Sequence, residues 1–296
     1  MDWKETIKKC IPDKWYLKRF YKKKMGKPLN LTNPIGFNEK LQWLKLYDRK
    51  PEYTQMVDKY EAKEYIGKII GEKYIIPTLG VWEKFDDIDF DLLPNQFVLK
   101  CTHDSGGLVI CQDKQKFDKI AAKEKIQKSL RRNYYWAGRE WPYKNIKPRI
   151  IAEKFMSDDD NEFIKKQQSM LTEGLTDYKF MCFNGKVKCS FVCSDRFSEK
   201  GLHVTFFDRD WNLMPFRRCY PSYDNILPKP INYEKMLELA EKLSAGIPFV
   251  RVDFYESSGK IYFGELTFYP GGGFEAFSPE EWDYILGDWI KLPSLK

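Results

Sequence analysis

The stretch Arg251-Val252-Asp253-Phe254-Tyr255, followed by Ser257-Ser258-Gly259-Lys260 and then Ile261-Tyr262-Phe263-Gly264-Glu265-Leu266-Thr267-Phe268-Tyr269-Pro270-Gly271-Gly272-Gly273, decides the fold. Two runs rich in apolar and aromatic residues flank a Ser-Ser-Gly-Lys turn, which predicts a β-hairpin that ends in a Pro-Gly loop. Each strand carries one carboxylate, Asp253 or Glu265, among large apolar side chains. A buried carboxylate is costly unless it has a cation partner. Two carboxylates set side by side also repel each other unless a cation lies between them. Two readings stay open from this segment. Either the pair holds magnesium, a hard cation that takes one or two carboxylates plus substrate phosphates, or Asp253 pairs with Arg251 and Glu265 with Lys260 at a sheet edge.

The chain has 296 residues, enough for two or three lobes with their own cores. Hydrophobic residues make up 43% and charged residues 31%, which excludes a disordered chain. No apolar run is long enough to span a bilayer. The opening Met1-Asp2-Trp3-Lys4-Glu5-Thr6 is charged where a signal peptide would be apolar, so a cytoplasmic location is expected. Seven cysteines accompany only two histidines and form no Cys-x-x-Cys, so reduced thiols are expected rather than a zinc site or disulfides. The formal charge of +7 favours anionic partners. Basic residues gather at Lys8 to Lys27 and at Lys114 to Arg132, with aromatics beside them. Nucleic-acid binders use such mixtures, yet no nucleic-acid motif is present, and solvated faces of amphipathic helices explain both clusters. Peripheral membrane contact through the basic N-terminal helices is the membrane role left open.

Along the chain, residues 1–57 read as helical and aromatic, broken at Pro28 and Pro34. Val57 to Ile70 has helical spacing closed by Gly71, and Tyr74 to Ile76 reads as a short strand. Phe97 to Lys100 is a strand that leads into Thr102-His103-Asp104-Ser105-Gly106-Gly107 and a second strand, Leu108 to Cys111. Phe117 to Arg132 is helical, and Arg149 to Met156 is a strand. Asn184-Gly185 between Tyr178–Phe183 and Lys186–Cys193 marks a hairpin with a primed turn. A strand at His203 to Phe207 and a helix at Asn232 to Ala245 precede the carboxylate hairpin. The class is α+β with largely antiparallel sheets.

Two further segments carry chemistry. A strand that ends in Lys100, then a turn with paired glycines, then another strand, can fold over phosphates with backbone N–H groups aimed at the anion. It is not the Walker pattern, and Ser105-Gly106-Gly107 also suits an ordinary hairpin turn. Glu153-Lys154-Phe155 leaves an apolar strand where a backbone could hold adenosine, or where a loop simply begins.

The ordered set of segments resembles the ATP-grasp superfamily, as in D-alanine–D-alanine ligases. Within it the chain is similar to the TupA-like group associated with teichuronopeptide and capsule polysaccharide synthesis. The match runs from Asn30 to Gly273 through Phe37-Asn38-Glu39-Lys40-Leu41-Gln42-Trp43-Leu44-Lys45, Asp58-Lys59-Tyr60, Phe97-Val98-Leu99-Lys100, Asp177-Tyr178-Lys179-Phe180 and the closing hairpin. The resemblance implies an ATP-grasp fold of two α+β lobes that clasp ATP. Residues 1–57 would be a helical N-terminal region, 58–155 the pre-ATP segment and small lobe with its glycine loop, and 156–296 the large lobe. It implies that Lys59 and Lys100 contact the ATP phosphates beneath a loop that includes Ser105, Gly106 and Gly107. Glu153, Lys154 and Phe155 would form the adenine hinge, and Asp177 would bind ribose. Asp253 and Glu265 would hold Mg2+. Thr267 stands where many relatives have asparagine, so its hydroxyl would be a weaker third ligand. Arg251 would meet the transferred phosphate and the oxyanion, and Arg196 is a further phosphate contact implied at the same centre.

The implied chemistry is carboxylate–amine ligation. A carboxylate takes the γ-phosphoryl group of ATP, and an amine then displaces phosphate to form an amide. A uronic acid of a surface polysaccharide is the expected carboxylate and an amino acid or similar amine the expected acceptor. The glycine loop and residues 157–173 are the expected lids. An ATP-dependent sugar kinase and a glycosyltransferase are the alternatives. The latter draws on Asp158-Asp159-Asp160 and Asp208-Arg209-Asp210, which match an Asp-x-Asp metal pattern but read better as solvated turns.

Overall fold

A computed structural model of the chain describes residues 9–156, 176–194, 201–223 and 227–294. The described residues form two compact units. One is drawn from Met1–Arg49 and Ser157–Lys296, the other from Lys50–Met156. In chain order the helices of six or more residues among the described residues are α1 (Asp13–Met25), α2 (Phe37–Tyr47), α3 (Glu52–Val57), α4 (Glu61–Ile70), α5 (Lys119–Leu130), α6 (Tyr233–Leu243) and α7 (Glu281–Asp288). The strands are β1 (Thr78–Trp82), β2 (Phe97–Cys101), β3 (Leu108–Cys111), β4 (Ile150–Lys154), β5 (Asp177–Phe183), β6 (Lys186–Ser194), β7 (His203–Asp208), β8 (Arg217–Arg218), β9 (Phe249–Ser257), β10 (Lys260–Thr267) and β11 (Phe277–Ser278).

In the Lys50–Met156 unit, four antiparallel strands run in the order β1-β4-β2-β3. Phe97, Leu99, Ile150 and Ala152 project from the sheet onto Ile126 of α5, and Phe85 and Phe90 complete that core. Two local expectations shift here. The segment 74–76 is not a strand: a tight helical turn at Glu72–Tyr74 leads past Pro77, and pairing starts only at Thr78. Proline has no N–H to give a ladder, so the strand begins beyond it. The helix expected from Val57 starts later, at Glu61. Asp58 leaves helical geometry at ψ 115°, and its Oδ1 accepts hydrogen bonds from the N–H groups of Tyr60 at 2.8 Å and Glu61 at 3.3 Å. The carboxylate therefore satisfies donors that a continuous helix would have used internally.

The other unit holds five antiparallel strands in the order β10-β9-β5-β6-β7. Helix α6 covers β5 and β6 with Tyr233, Met236, Leu237, Ala240 and Leu243, an apolar stripe at helical spacing. Asn184 at φ 50° and Gly185 at φ 80° make the primed turn that the Asn-Gly pair predicts. The Phe37–Lys45 segment forms α2, and its polar residues are structural at almost every position. Glu39 caps the helix start by accepting from Asn30 N–H at 3.1 Å and Ile35 N–H at 3.0 Å. Asn38 donates to Asp283 at 2.8 Å, and Lys40 donates to the carbonyls of Gly287 in α7 at 2.9 Å and of Ile290 just beyond it at 3.0 Å. Phe37 packs edge-on against Phe249 at 4.9 Å. Gly287 permits this closeness: a Cβ there would overlap the Ile35 carbonyl oxygen and lie 2.9 Å from Phe37 N.

Both obstacles are backbone atoms, so neither can swing aside. Gly287→Ala is expected to destabilise this unit by about 2–3 kcal/mol. A urea-unfolding midpoint equal to the parent's would contradict that packing.

Candidate active site

The carboxylate hairpin depends on its register. Ser258 at φ 50° and Gly259 at φ 71° turn the chain, and pairing proceeds regularly from Lys260↔Ser257 to Phe263↔Phe254. A bulge at Gly264 then adds one residue to β10, so Glu265 pairs with Asp253 and Thr267 with Arg251. Without the extra residue Glu265 would oppose Val252, on the face away from Asp253, because strand side chains alternate. A Cβ at Gly264 would sit 3.2 Å from the Asp253 carbonyl oxygen, so glycine suits the bulge.

The cation beside both carboxylates is Arg251. Its Nε donates to Asp253 Oδ1 at 2.6 Å, and its Nη2 donates to Asp253 Oδ2 at 2.6 Å and Glu265 Oε1 at 2.8 Å. Glu265 thus pairs with Arg251 and not with Lys260. Thr267 donates its hydroxyl to Glu265 Oε1 at 3.1 Å. From β5, Lys179 stands opposite Asp253 in register and donates to Asp253 Oδ2 at 2.5 Å and also to Asp177.

Burial alone would push the Asp253 carboxyl up, but Arg251 and Lys179 outweigh it and hold Asp253 below the usual carboxylate range. Burial lifts the Asp177 carboxyl above that range, with Lys179 opposing and Asp253 adding to the rise. Lys179 is held above its ordinary value, because its two carboxylates outweigh burial. The cluster sets three acids against two cations. Asp177 Oδ1 is buried with no hydrogen-bond partner among the described residues, whereas the Glu265 side chain is 46% exposed. Among the described residues no group of three or more acidic, cysteine or histidine side chains is set to hold a metal ion as the side chains stand, and both Asp253 oxygens are taken by Arg251 and Lys179. The unsatisfied Asp177 oxygen and the accessible Glu265 carboxylate are the hard oxygens left to meet a cation.

Just beyond Thr267, the loop Pro270–Gly273 has glycines at φ 58°, 63° and 66°. Its carbonyls are held from α2. Gln42 Nε2 donates to Gly272 at 3.0 Å and Gly273 at 2.7 Å, and the fully buried Lys45 donates to Gly272 at 2.6 Å. The Lys45 ammonium also lies 4.5 Å from the Phe274 ring centroid. Such a lysine under a glycine loop fixes which way the peptide dipoles point.

The Lys50–Met156 unit carries the other predicted residues. Lys100 and Glu153 meet across β2 and β4, with Nζ 2.5 Å from Glu153 Oε2. Lys63 of α4 takes the other oxygen at 2.6 Å. Burial would raise the Glu153 carboxyl, but Lys100 and Lys63 reverse this and hold it low. Lys59 donates to the Asp104 carbonyl in the glycine loop. The base of that loop is anchored to the C-terminal end of α5. His103 Nε2–H donates to the carbonyls of Ser129 at 3.2 Å and Arg132 at 3.0 Å, while Ser129 donates to the Asp104 carboxylate. A Cβ at Gly107 would meet Asp104 Oδ1 at 2.8 Å, so only glycine fits there. Ser105 and Gly106 are exposed at the tip, Gly106 at φ 104°. Lys154 and Phe155 follow Glu153 at the end of β4.

The structure therefore brings Asp177, Arg251, Asp253, Glu265 and Thr267 together in one unit, and Lys59, Lys100, the glycine loop and Glu153 to Phe155 together in the other. Arg196, the 157–173 lid and Asp158 to Asp160 lie outside the described residues. The Asp208-Arg209-Asp210 segment is a turn. Asp208 Oδ1 accepts from the N–H groups of Asp210 at 2.9 Å and Asn212 at 2.8 Å, and Arg209 pairs with Glu241. Lys63, Lys179, Gln42 and Lys45 were not singled out by sequence. Only Lys179 left a signal: the Asp-x-Lys spacing on an apolar strand puts both side chains on one face.

A family model described as TupA-like ATPgrasp matches residues 39–291. Among solved structures, D-alanine–D-alanine ligase from Bacillus anthracis aligns at 16% identity and a TM-score of 0.44, over 86% of this chain and 68% of that one. The Helicobacter pylori D-alanine–D-alanine ligase aligns at 16% identity and a TM-score of 0.42, over 86% and 69% of the two chains. The ATP-grasp ligase PsnB, in complex with minimal precursor, Mg and ADP, aligns at 8% identity and a TM-score of 0.41, over 78% of this chain. This chain spans 57% of the length of PsnB. No curated protein matches the sequence significantly.

Two measurements probe the cation network. Because Glu153 sits below its ordinary value of 4.5, the stability it contributes is complete above that pH and is lost as pH falls through the folded value. Glu153→Gln should therefore flatten the decline in thermal midpoint as pH falls below the ordinary value of 4.5; a decline as steep as the parent's would refute the assignment. Lys45→Met removes the charged donor shared by the Gln42 side-chain oxygen at 3.0 Å and the Gly272 carbonyl, which keeps only its bond from Gln42, and should cost about 1.5–3 kcal/mol in urea unfolding.

Proposed function

The chain belongs to the TupA-like ATP-grasp family, and on that premise we propose that it is an ATP-dependent carboxylate–amine ligase that acts on a surface polysaccharide. The observation that carries the reading is the cluster around Asp253. Two carboxylates from paired strands share one guanidinium, with a second buried cation and a third carboxylate beside them. This is machinery for handling concentrated oxyanion charge.

Asp253 and Glu265 would hold magnesium, with Thr267 beside them. The ion, when bound, neutralises phosphate oxygens and so eases phosphoryl transfer. The described residues do the rest by position. Lys59 and Lys100 would bring cationic charge to the phosphates, with the open Ser105–Gly106 tip above them and Glu153, Lys154 and Phe155 along the adenosine. Asp177 would accept from the ribose, or share its unsatisfied oxygen with the metal.

The substrate carboxylate attacks the γ-phosphorus, and ADP leaves as the acyl phosphate forms. The amine then adds to the carbonyl carbon and loses a proton, and the tetrahedral oxyanion expels inorganic phosphate. Transfer of this kind needs alignment and charge stabilisation more than covalent help. Arg251 is suited to the oxyanion because its fork is already held rigid by two carboxylates. The polysaccharide assignment rests on the family: a uronic acid would supply the carboxylate, and an amino acid or related amine the nucleophile.

ADP release with a uronic-acid acceptor and a panel of amines tests this, with the product examined by mass spectrometry. An amide plus phosphate is expected. A phosphorylated sugar without amide would convert the reading to a kinase, and ATP binding with no pair of substrates active would refute ligation. Arg251→Lys keeps one cation but loses the fork, and should lower amide formation about 10²–10³-fold.

A further inference from the structure

Helix α1 is held to its unit along one side only. Leu17 and Tyr21 are fully buried, Phe20 packs edge-on to Phe274 at 4.8 Å, and Asp13 pairs with Arg49 at 2.7 Å. The opposite side carries Lys14, Trp15, Lys18, Arg19, Lys22 and Lys23, all exposed. At 100° per residue these six positions fall in one continuous half of the helix, with Trp15 near its middle. Trp15 is 53% exposed, and the Arg19 guanidinium lies 5.6 Å from its ring centroid.

No carboxylate of the described residues answers these charges. Among the described residues, none of Lys14, Lys18, Arg19, Lys22 and Lys23 has an ion pair, and the one acid of α1, Asp13, is taken by Arg49. Cations in the last turn of a helix are favoured by its dipole, which accounts for Lys22 and Lys23 but not for Lys14, Lys18 and Arg19.

We propose that this face of α1 docks on an anionic phospholipid bilayer. A rigidly anchored helix that presents five unpaired cations around a central tryptophan matches such a surface in two ways. The cations meet the headgroup phosphates, and an amphipathic indole settles at the boundary between headgroups and acyl chains. A soluble polyanion could also meet the charges, and a base or sugar face could stack on the indole; a bilayer offers both the charged layer and the boundary for the indole along one plane, as this half-helix presents them. A protein held this way meets its bilayer side-on, along α1; no helix among the described residues is long and apolar enough to cross a membrane.

Sedimentation of the full chain with phosphatidylcholine vesicles, with and without phosphatidylglycerol, tests the proposal. Binding is expected only with phosphatidylglycerol and should vanish at about 0.5 M salt. Lys18→Gln with Lys22→Gln removes two cations and should weaken binding roughly 25-fold, and Trp15→Ser should weaken it roughly fivefold or more. All three side chains are exposed, so an unchanged thermal midpoint verifies that each variant is folded. Absence of binding to phosphatidylglycerol vesicles at low salt would overturn the proposal. So would equal binding to phosphatidylcholine alone, or variants that bind like the parent. Binding to dextran sulfate at least as tight as to the anionic vesicles, with Trp15→Ser having no effect, would assign the face to a soluble polyanion instead.

Discussion

Asp253 is buried to 1% exposure on β9, beside the central strand of a five-stranded sheet, and its charge must be balanced there. Arg251 two residues away and Lys179 across the β5–β9 ladder supply that balance. A carboxylate stripped of water without them would cost several kcal/mol or take up a proton. The same two cations draw in Glu265 and Asp177, so one buried charge organises groups from three strands. Three acids meet two cations there, and burial answers part of that excess by lifting the Asp177 carboxyl above the usual range.

A second network in the Lys50–Met156 unit has the opposite balance. Glu153 is flanked by Lys63 and Lys100, giving two cations to one acid, a composition suited to phosphate. Both networks keep lysine or arginine ammonium and guanidinium groups in fixed places before any ligand arrives. Preorganised charge of this kind is worth more than charge that must be gathered during the reaction.

The glycine-rich segments are built in different ways. The 102–107 loop is anchored at its base by His103, Asp104 and Ser129 and exposed at Ser105 and Gly106. The Pro270–Gly273 loop is held throughout by Gln42 and Lys45, which lie more than two hundred residues earlier in the chain. Helix α2 thus spends its polar residues on fastening the end of the carboxylate hairpin, and it fastens α7 by the same means. Its neighbour α1 adds the charged outer face. The N-terminal helices are scaffold on the inside and contact surface on the outside.

The hairpins at 184–185 and 258–259, the short strands around the glycine loop and the amphipathic helix at 233–243 were legible in the sequence, since each is set by local rules of turn geometry and side-chain periodicity. So was the candidate status of Asp253 and Glu265, because carboxylates inside apolar strands demand a partner. Residue order offered Arg251 as a partner for Asp253, and that pair forms; it paired Glu265 with Lys260, whereas the same guanidinium serves both acids, and Lys179 reaches Asp253 only because β5 lies beside β9. The roles of Lys63 and Lys45 were hidden for the same reason, as each meets its carbonyl or carboxylate across the fold. Most telling is Gly264. Residue order gives the two strands, but the single-residue bulge sets their parity, and that parity alone turns Glu265 toward Asp253. Local chemistry chose the groups, and non-local pairing chose which of them meet.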